Sequence, residues 1–290
     1  MNKTNIEWVK NPDGSQGYTF NPITGCLNGC EYCYARKLAN TRLRERYLAN
    51  LNIAPVSYPL PDIPASLQPF YPRFWSDKCN RTGMVAGKSP KGIFVCDMSD
   101  LFGIGIPEDW THRVLDRCRD MCLHHFYLLT KQPQNLIKFS PFPENCWVGV
   151  TATNANMLFD AINHLDDIQC SKRFVSIEPM LASCYLEDLP AHLAGTLDWV
   201  IIGVMTCGGA DLAKLSYQHP ELNPIPYGNR YTLQPKIEWV QEIVEACNKA
   251  GTPVFLKDNL WDLLYTSAFD DDIFWANEKA TLRQEIPQNG

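Results

Sequence analysis

From residue 92 the chain alternates short, continuous apolar runs with stretches whose apolar residues recur every three or four positions. The runs at 92–100 (GIFVCDMSD), 126–131 (FYLLTK), 146–153 (CWVGVTAT), 172–179 (KRFVSIEP), 197–209 (LDWVIIGVMTCGG) and 252–259 (TPVFLKDN) predict strands. The intervening stretches at 107–123, 133–138, 154–166 and 235–250 predict helices. The last has Pro235 in its first turn and Gly251 just past its end. Strands that are apolar throughout, separated by helices, belong to a parallel sheet covered on both faces. With a first strand at 17–24 (GYTFNPIT), the pattern gives an α/β fold, a partial (β/α) barrel of about six to seven parallel strands.

The N-terminal third departs from this rhythm. Residues 31–50 lack Gly and Pro, and Ala35, Leu38, Ala39, Leu43 and Tyr47 share one helical face, with Arg36, Lys37, Arg42, Arg44 and Arg46 opposite. One amphipathic helix is predicted there. Residues 52–90 carry prolines at 55, 59, 61, 64, 69 and 72 among Tyr58, Phe70, Tyr71, Phe74 and Trp75, which predicts an irregular insertion. Its aromatics, with Arg73, Lys78 and Arg81, suit base stacking and phosphate contact, or equally a loop packed on its own side chains. The expected organisation is one domain over 1–290, with this insertion at 52–90 and a C-terminal extension at 260–290.

Composition narrows the setting. Apolar residues make up 45% and charged residues 20%, as in ordinary globular proteins, and no run is long and apolar enough to span a membrane. The first residues lack the apolar core of a secretory signal, so a cytoplasmic location is expected. The net charge of −6 hides a basic segment: residues 31–91 hold ten Lys/Arg against four acidic side chains. Such an asymmetry suits a phosphate-bearing partner, or a solvated helix face.

Of twelve cysteines, nine are scattered on apolar segments, where a thiol acts as a small hydrophobe. Cys26, Cys30 and Cys33 differ. They fall in the spacing C-x3-C-x2-C on a loop that follows the first strand, with Gly25, Gly29 and Tyr32 among them. Three thiolates on one loop hold a soft metal centre and leave one coordination position open. A structural zinc ion needs a fourth ligand, for which only distant residues such as His112, His124 or His125 are available. The remaining polar residues gather at strand ends: Asp97, Ser99, Asp100, Thr130, Lys131, Thr151, Thr153, Glu178, Cys207, Lys257 and Asp258. In a β/α barrel that rim carries the active site.

The C-x3-C-x-aromatic-C pattern after the first strand of a β/α chain resembles the radical S-adenosyl-L-methionine (SAM) enzymes. The resemblance extends to a phage-associated branch known by an N-terminal three-cysteine motif. It is carried by IEW at 6–8, NPITGC at 21–26, CYA at 33–35, MSDLF at 98–102 and LLTKQP at 128–133. WVGVT at 147–151, FVSIEP at 174–179, LDWVIIG at 197–203 and PVFLK at 253–257 continue it. One departure is Val204-Met205-Thr206-Cys207-Gly208-Gly209, where the branch has a Gly-Gly-Glu-Ser-Gly-like segment with a carboxylate.

The resemblance implies a [4Fe-4S] cluster on Cys26, Cys30 and Cys33, with SAM bound to the fourth iron and cleaved to a hydrogen-abstracting 5′-deoxyadenosyl radical. It places Tyr32 near the adenine, Asp97, Ser99 and Asp100 near the SAM amino group, and Thr151, Thr153 and Glu178 near the ribose. Lys131 and Lys257 would meet a carboxylate or a substrate phosphate. Cys207, expected in an exposed glycine turn, would donate hydrogen to a substrate radical or bond to it. An electron donor such as flavodoxin or ferredoxin is implied as a partner. The expected substrate is a nucleic acid or nucleotide, modified at a base or its substituent. The alternatives are a small-molecule substrate, or a zinc-stabilised nucleic-acid-binding module without catalysis.

Overall fold

The computed structural model describes residues 1–55, 64–80, 89–266, 272–277 and 281–287. Tyr58 and Arg81 of the predicted aromatic and basic loop lie outside them. The fold is α/β, and the main sheet has eight strands. The chain divides into two compact units, residues 1–148 with 168–171, and residues 149–167 with 172–290.

In the first unit, β1 (Asn2–Lys3) pairs antiparallel with β2 (Tyr18–Phe20). β2 pairs in parallel with β5 (Gly92–Val95), which pairs in parallel with β6 (His125–Thr130). The predicted first strand stops at Phe20. After Asn21 and Pro22 the chain leaves the sheet as β3 (Ile23–Thr24), which pairs antiparallel with β4 (Arg73–Phe74). The predicted helix at 31–50 is two helices, α1 (Tyr34–Asn40) and α2 (Arg44–Leu48). The break has a local cause: Asn40 and Thr41 turn their side chains back onto the carbonyls of Arg36 and Lys37, and Leu43 N–H closes on Leu38 O. α3 (Ser76–Asn80) and α4 (Glu108–Asp120) follow, the latter after Pro107 as predicted. The stretch expected as a helix at 133–138 is a 3-10 helix over Pro133–Phe139.

The insertion is built mainly as a packed loop. Phe70, Tyr71 and Phe74 are buried, and Arg73 is 0% exposed. The Arg73 guanidinium donates to the carbonyls of Asn50, Ser66, Gln68 and Tyr71. Lys78 donates to Asn21 O and lies over the Trp75 ring. Phe70, Tyr71, Phe74 and Arg73 are therefore not a platform for bases and phosphates. A cation can be buried among carbonyls because the guanidinium's donors satisfy several at once.

The strand order of the main sheet is β1-β2-β5-β6-β7-β8-β9-β13, with β7 at Cys146–Thr151, β8 at Lys172–Ile177, β9 at Trp199–Ile202 and β13 at Val254–Leu256. Its two end strands do not pair with each other, so the sheet is open. In the second unit, β8, β9 and β13 pair in parallel. α5 (Ala155–Asp166) is capped by the Asn154 side chain, which accepts from Met157 N–H. α6 (Leu189–Leu193) and α8 (Ile237–Ala250) bury their apolar faces, and Gly251 ends α8 in the left-handed region at φ 71°.

The run at 197–209 is two strands rather than one. β9 ends at Ile202, and β10 (Met205–Cys207) joins a separate antiparallel sheet with β12 (Arg230–Gln234) and β11 (Asn223–Tyr227). Asn259 enforces the break, because its side chain accepts from Val204 N–H and donates to Val204 O, taking both groups away from the sheet. α7 (Gly209–Gln218) and the β11–β12 hairpin have no counterpart among the predicted elements.

The free edge of β13 is covered by the C-terminal residues. Leu256 N–H donates to Arg283 O, Glu285 N–H to Val254 O, and Val254 N–H to the Glu285 carboxylate. Trp199 adds its indole N–H to Glu285 O.

Candidate functional site

The first unit carries the cysteine loop, and its anchoring begins with glycine. Gly25 has φ 88°, and a Cβ there would lie 2.4 Å from Tyr71 O and 2.8 Å from Phe70 O. Only a residue without a side chain lets the insertion backbone press this closely on the loop. The adjacent Cys26 N–H donates to Phe70 O at 3.0 Å. From the other side the segment after β5 holds the loop at four points. Gly25 N–H donates to Met98 O at 2.9 Å, and Ser99 hydroxyl donates to Gly25 O at 2.6 Å. Tyr34 hydroxyl donates to Asp97 O at 2.8 Å, and the Asn28 amide donates to Asp100 at 2.7 Å.

Asp100 is the hub of this arrangement. It is 5% exposed, and one carboxylate oxygen accepts from Phe102 N–H (3.1 Å) and Thr130 hydroxyl (2.7 Å). The other accepts from Asn28 Nδ2 (2.7 Å) and Lys131 N–H (2.9 Å). Asp97 is held by Asn21 Nδ2, and burial raises its pKa above the ordinary carboxylate value against the hydrogen bonds from Asn21, Tyr34 and Thr19. Asp97, Ser99 and Asp100 thus face the loop itself. Their carboxylates and hydroxyl fasten it to the strand end.

The thiols sit half-buried against an apolar cluster of Ala35, Ala39, Tyr47, Phe70 and Met98, on which Cys26 and Cys33 pack. Cys33 caps α1: its sulfur accepts from Arg36 N–H at 3.3 Å. Cys26 sulfur accepts from Asn28 N–H at 3.4 Å. Burial pushes the Cys26 thiol up to about 12, with further increments from the charges of Asp100, Cys30 and Cys33. Burial also raises Cys33, and the neighbouring Cys30 adds to it. Cys26 and Cys33 are thus poor thiolates on their own and need a cationic centre to hold them deprotonated. Backbone N–H groups on the sulfurs suit a reduced, electron-rich cluster.

Tyr32 is half-buried, its hydroxyl is bonded to Cys30, and burial followed by the Cys30 charge raises its pKa. Lys131 Nζ stands 5.7 Å from the Tyr32 ring centre. Among the described residues, no group of three or more His, Cys, Asp or Glu side chains can hold a single metal ion. A single ion must draw its ligands to one point, whereas a four-iron cluster takes each thiolate on a different iron. His112 packs on Phe139, and His125 bonds Tyr127 and stacks on Trp147.

In the second unit, Glu178 and Lys257 form an ion pair at the ends of β8 and β13. Gly203 lies under it, since a Cβ there would sit 2.8 Å from the Lys257 side chain and 3.2 Å from the Glu178 carboxyl carbon. Thr151 and Thr153 are buried, at 3% and 5% exposure, and Thr153 hydroxyl contacts Met157 sulfur at 3.2 Å. Cys207 is 5% exposed and registered opposite Tyr231 in the β10–β12 ladder. The exposed, flexible turn expected of it is replaced by a buried strand position, because the β11–β12 hairpin pairs with it. The candidate residues thus fall into two sets, one in each unit. Asn28, Asn21 and Tyr34, which anchor the first set, were not singled out from sequence; Thr130 was marked only as a polar residue at a strand end. Asn28 had only its place among the cysteines as a signal.

No helix among the described residues is long and apolar enough to cross a membrane. Residues 3–214 match a family model described as "Protein of unknown function (DUF5131)". No curated protein matches the sequence. Among solved structures, a spore photoproduct lyase mutant with bound AdoMet and dinucleoside spore photoproduct is similar at TM-score 0.51 and 11% identity, covering 84% of this chain and 76% of that one. Spore photoproduct lyase complexed with dinucleoside spore photoproduct is similar at TM-score 0.50 and 10% identity, covering 81% and 74%. At such identities the likeness establishes a shared fold.

Proposed function

This chain belongs to the family of proteins of unknown function DUF5131, whose model spans most of its length, and from its site we propose that it is a radical SAM enzyme acting on a nucleic acid or nucleotide. Cys26, Cys30 and Cys33 would hold a [4Fe-4S] cluster with SAM bound beside it; with an electron from a donor, these groups would supply the 5′-deoxyadenosyl radical chemistry that abstracts a substrate hydrogen atom. The protein's part is to hold the loop rigid, donate N–H groups to the sulfurs and keep the centre half-buried.

The observation that carries this reading is the arrangement of the loop. All three thiols lie on one segment, fastened by residues 97–100 on one side and the 70–71 backbone on the other. The fold shared with a lyase structure containing AdoMet and a dinucleoside lesion supports both the cofactor and the substrate class. The basic side chains of α1, α2 and the turn between them add to the latter, with Lys37, Arg42, Arg44 and Arg46 exposed. A DNA base or its substituent, in phage DNA, is the specific target proposed. A flavodoxin or ferredoxin would supply the electron.

Anaerobic reconstitution tests the reading. The expected product is a brown protein with about four irons per chain that forms 5′-deoxyadenosine from SAM under dithionite. A colourless protein that binds zinc and leaves SAM intact would refute it. Mass spectrometry of bases digested from treated phage DNA then tests the substrate class.

A further inference from the structure

Asn28 lies between Cys26 and Cys30, and the two ends of its side-chain amide have different fates. The amide orientation is fixed by its partner. Asp100 receives backbone N–H groups on both carboxylate oxygens, from Phe102 and Lys131, so it is an acceptor on each side. Only the NH2 end of Asn28 can face it, at 2.7 Å. The carbonyl end, Oδ1, is thereby directed away from Asp100. It is buried and accepts no hydrogen bond from any described residue. A buried amide oxygen without a donor is destabilising, and such groups in native proteins mark the place of a missing partner. Here the orphan acceptor sits inside the cysteine loop, one residue from Gly29 and two from each flanking thiol.

We infer that Asn28 Oδ1 is a ligand-binding group that accepts an N–H from the amino group of the amino-acid ligand at the open iron. The inference rests on the function proposed above. It also accounts for the use made of Asp97, Ser99 and Asp100: these residues fasten the loop, and the acceptor role falls to the side chain that Asp100 aims. Asp100 is then a positioning residue, acting on the ligand through Asn28.

The test is a double comparison on the anaerobically reconstituted full chain. Binding of SAM and of its deaminated analogue, in which hydrogen replaces the α-amino group, is measured by equilibrium dialysis for the native protein, Asn28→Leu and Asn28→Gln. Iron content is recorded for each. A hydrogen bond from an amino group is expected to make the native protein prefer SAM over the analogue by roughly tenfold more than Asn28→Leu does. Asn28→Gln, which keeps both the NH2 that faces Asp100 and the oxygen acceptor, should retain part of that preference. Equal preference in the native protein and Asn28→Leu, both fully loaded with iron, would overturn the inference and leave Oδ1 to a water molecule. Loss of iron from both variants would also overturn it, making Asn28 a support of the loop alone. A native protein that binds neither iron nor SAM would instead defeat the proposed function itself.

Discussion

Replacing Asp100 by asparagine changes one atom at the hub of the site, and its cost can be worked out from the bonds. The carboxylate accepts four hydrogen bonds, two on each oxygen, at 5% exposure. An amide of the same shape must turn its NH2 toward one pair of donors. If it faces Thr130 and Phe102, the hydroxyl can rotate to accept but the Phe102 N–H is stranded. If it faces Asn28 and Lys131, the Asn28 amide can flip but the Lys131 N–H is stranded. Either way one buried N–H loses its partner, at about 1–3 kcal/mol. The surviving bonds lose the charge that made them strong, about 0.5 kcal/mol each or more. Asp100→Asn should therefore destabilise the protein by roughly 2–4 kcal/mol. Urea unfolding of the apoprotein measures this directly, and iron per chain after reconstitution reports on the loop. A loss below about 0.5 kcal/mol with full iron loading would refute the hub argument.

Three further outcomes follow from the same structure. Gly25→Ala places a methyl group 2.4 Å from Tyr71 O at a positive φ; iron loading should fall severalfold while far-ultraviolet circular dichroism stays native, since the strain is confined to the loop. Arg73→Leu removes four hydrogen bonds to carbonyls, that of Tyr71 buried and those of Asn50, Ser66 and Gln68 part-buried, and should cost about 3 kcal/mol in urea unfolding; a variant of native stability that has lost only nucleic-acid affinity would show that Arg73 is a binding residue. His125 has its pKa lowered to about 4 by burial and then by the neighbouring His124 charge. Its folded value lies below the unfolded value, so its contribution is complete above pH 6.5 and is lost as the pH falls toward 4. At pH 5 about 2 kcal/mol should be gone, and His125→Phe should flatten that part of the pH–stability curve.

The main architecture was legible because it rests on local pattern. Continuous apolar runs gave β5 to β9 and β13, and Pro107 and Gly251 marked helix ends where the structure has them. The failures share a physical origin in partners distant along the chain. Nothing within 197–209 shows that Asn259, more than fifty residues on, takes the hydrogen-bonding groups of Val204 out of the sheet. The burial of Cys207 depends likewise on a hairpin at 223–234. That hairpin did have a local signal, Gly228-Asn229 between Tyr227 and Arg230, a two-residue turn with Gly228 at φ 58°. Charge misled at Arg73, because a guanidinium buried among carbonyls has the same letter as one facing solvent. The cysteines announced the candidate site. Asp100 and Thr130 stood out only as polar strand ends; that they fasten the loop through Asn28 was not legible, since the three meet only after the strands align.

The cover over β13 has a practical consequence for anyone handling this protein. The N–H groups of Val254 and Leu256 and the carbonyl of Val254 are satisfied by Arg283 and Glu285. A chain cut before Arg283 would expose those groups as a bare parallel edge, flanked by Phe255 and Trp199, able to template pairing with another molecule. Such a truncation leaves every cysteine and strand end intact and so looks harmless on paper. Its expected failure is self-association at micromolar concentration, visible by light scattering before any change in iron content, and a C-terminal fusion joined too closely to Glu285 would provoke the same behaviour.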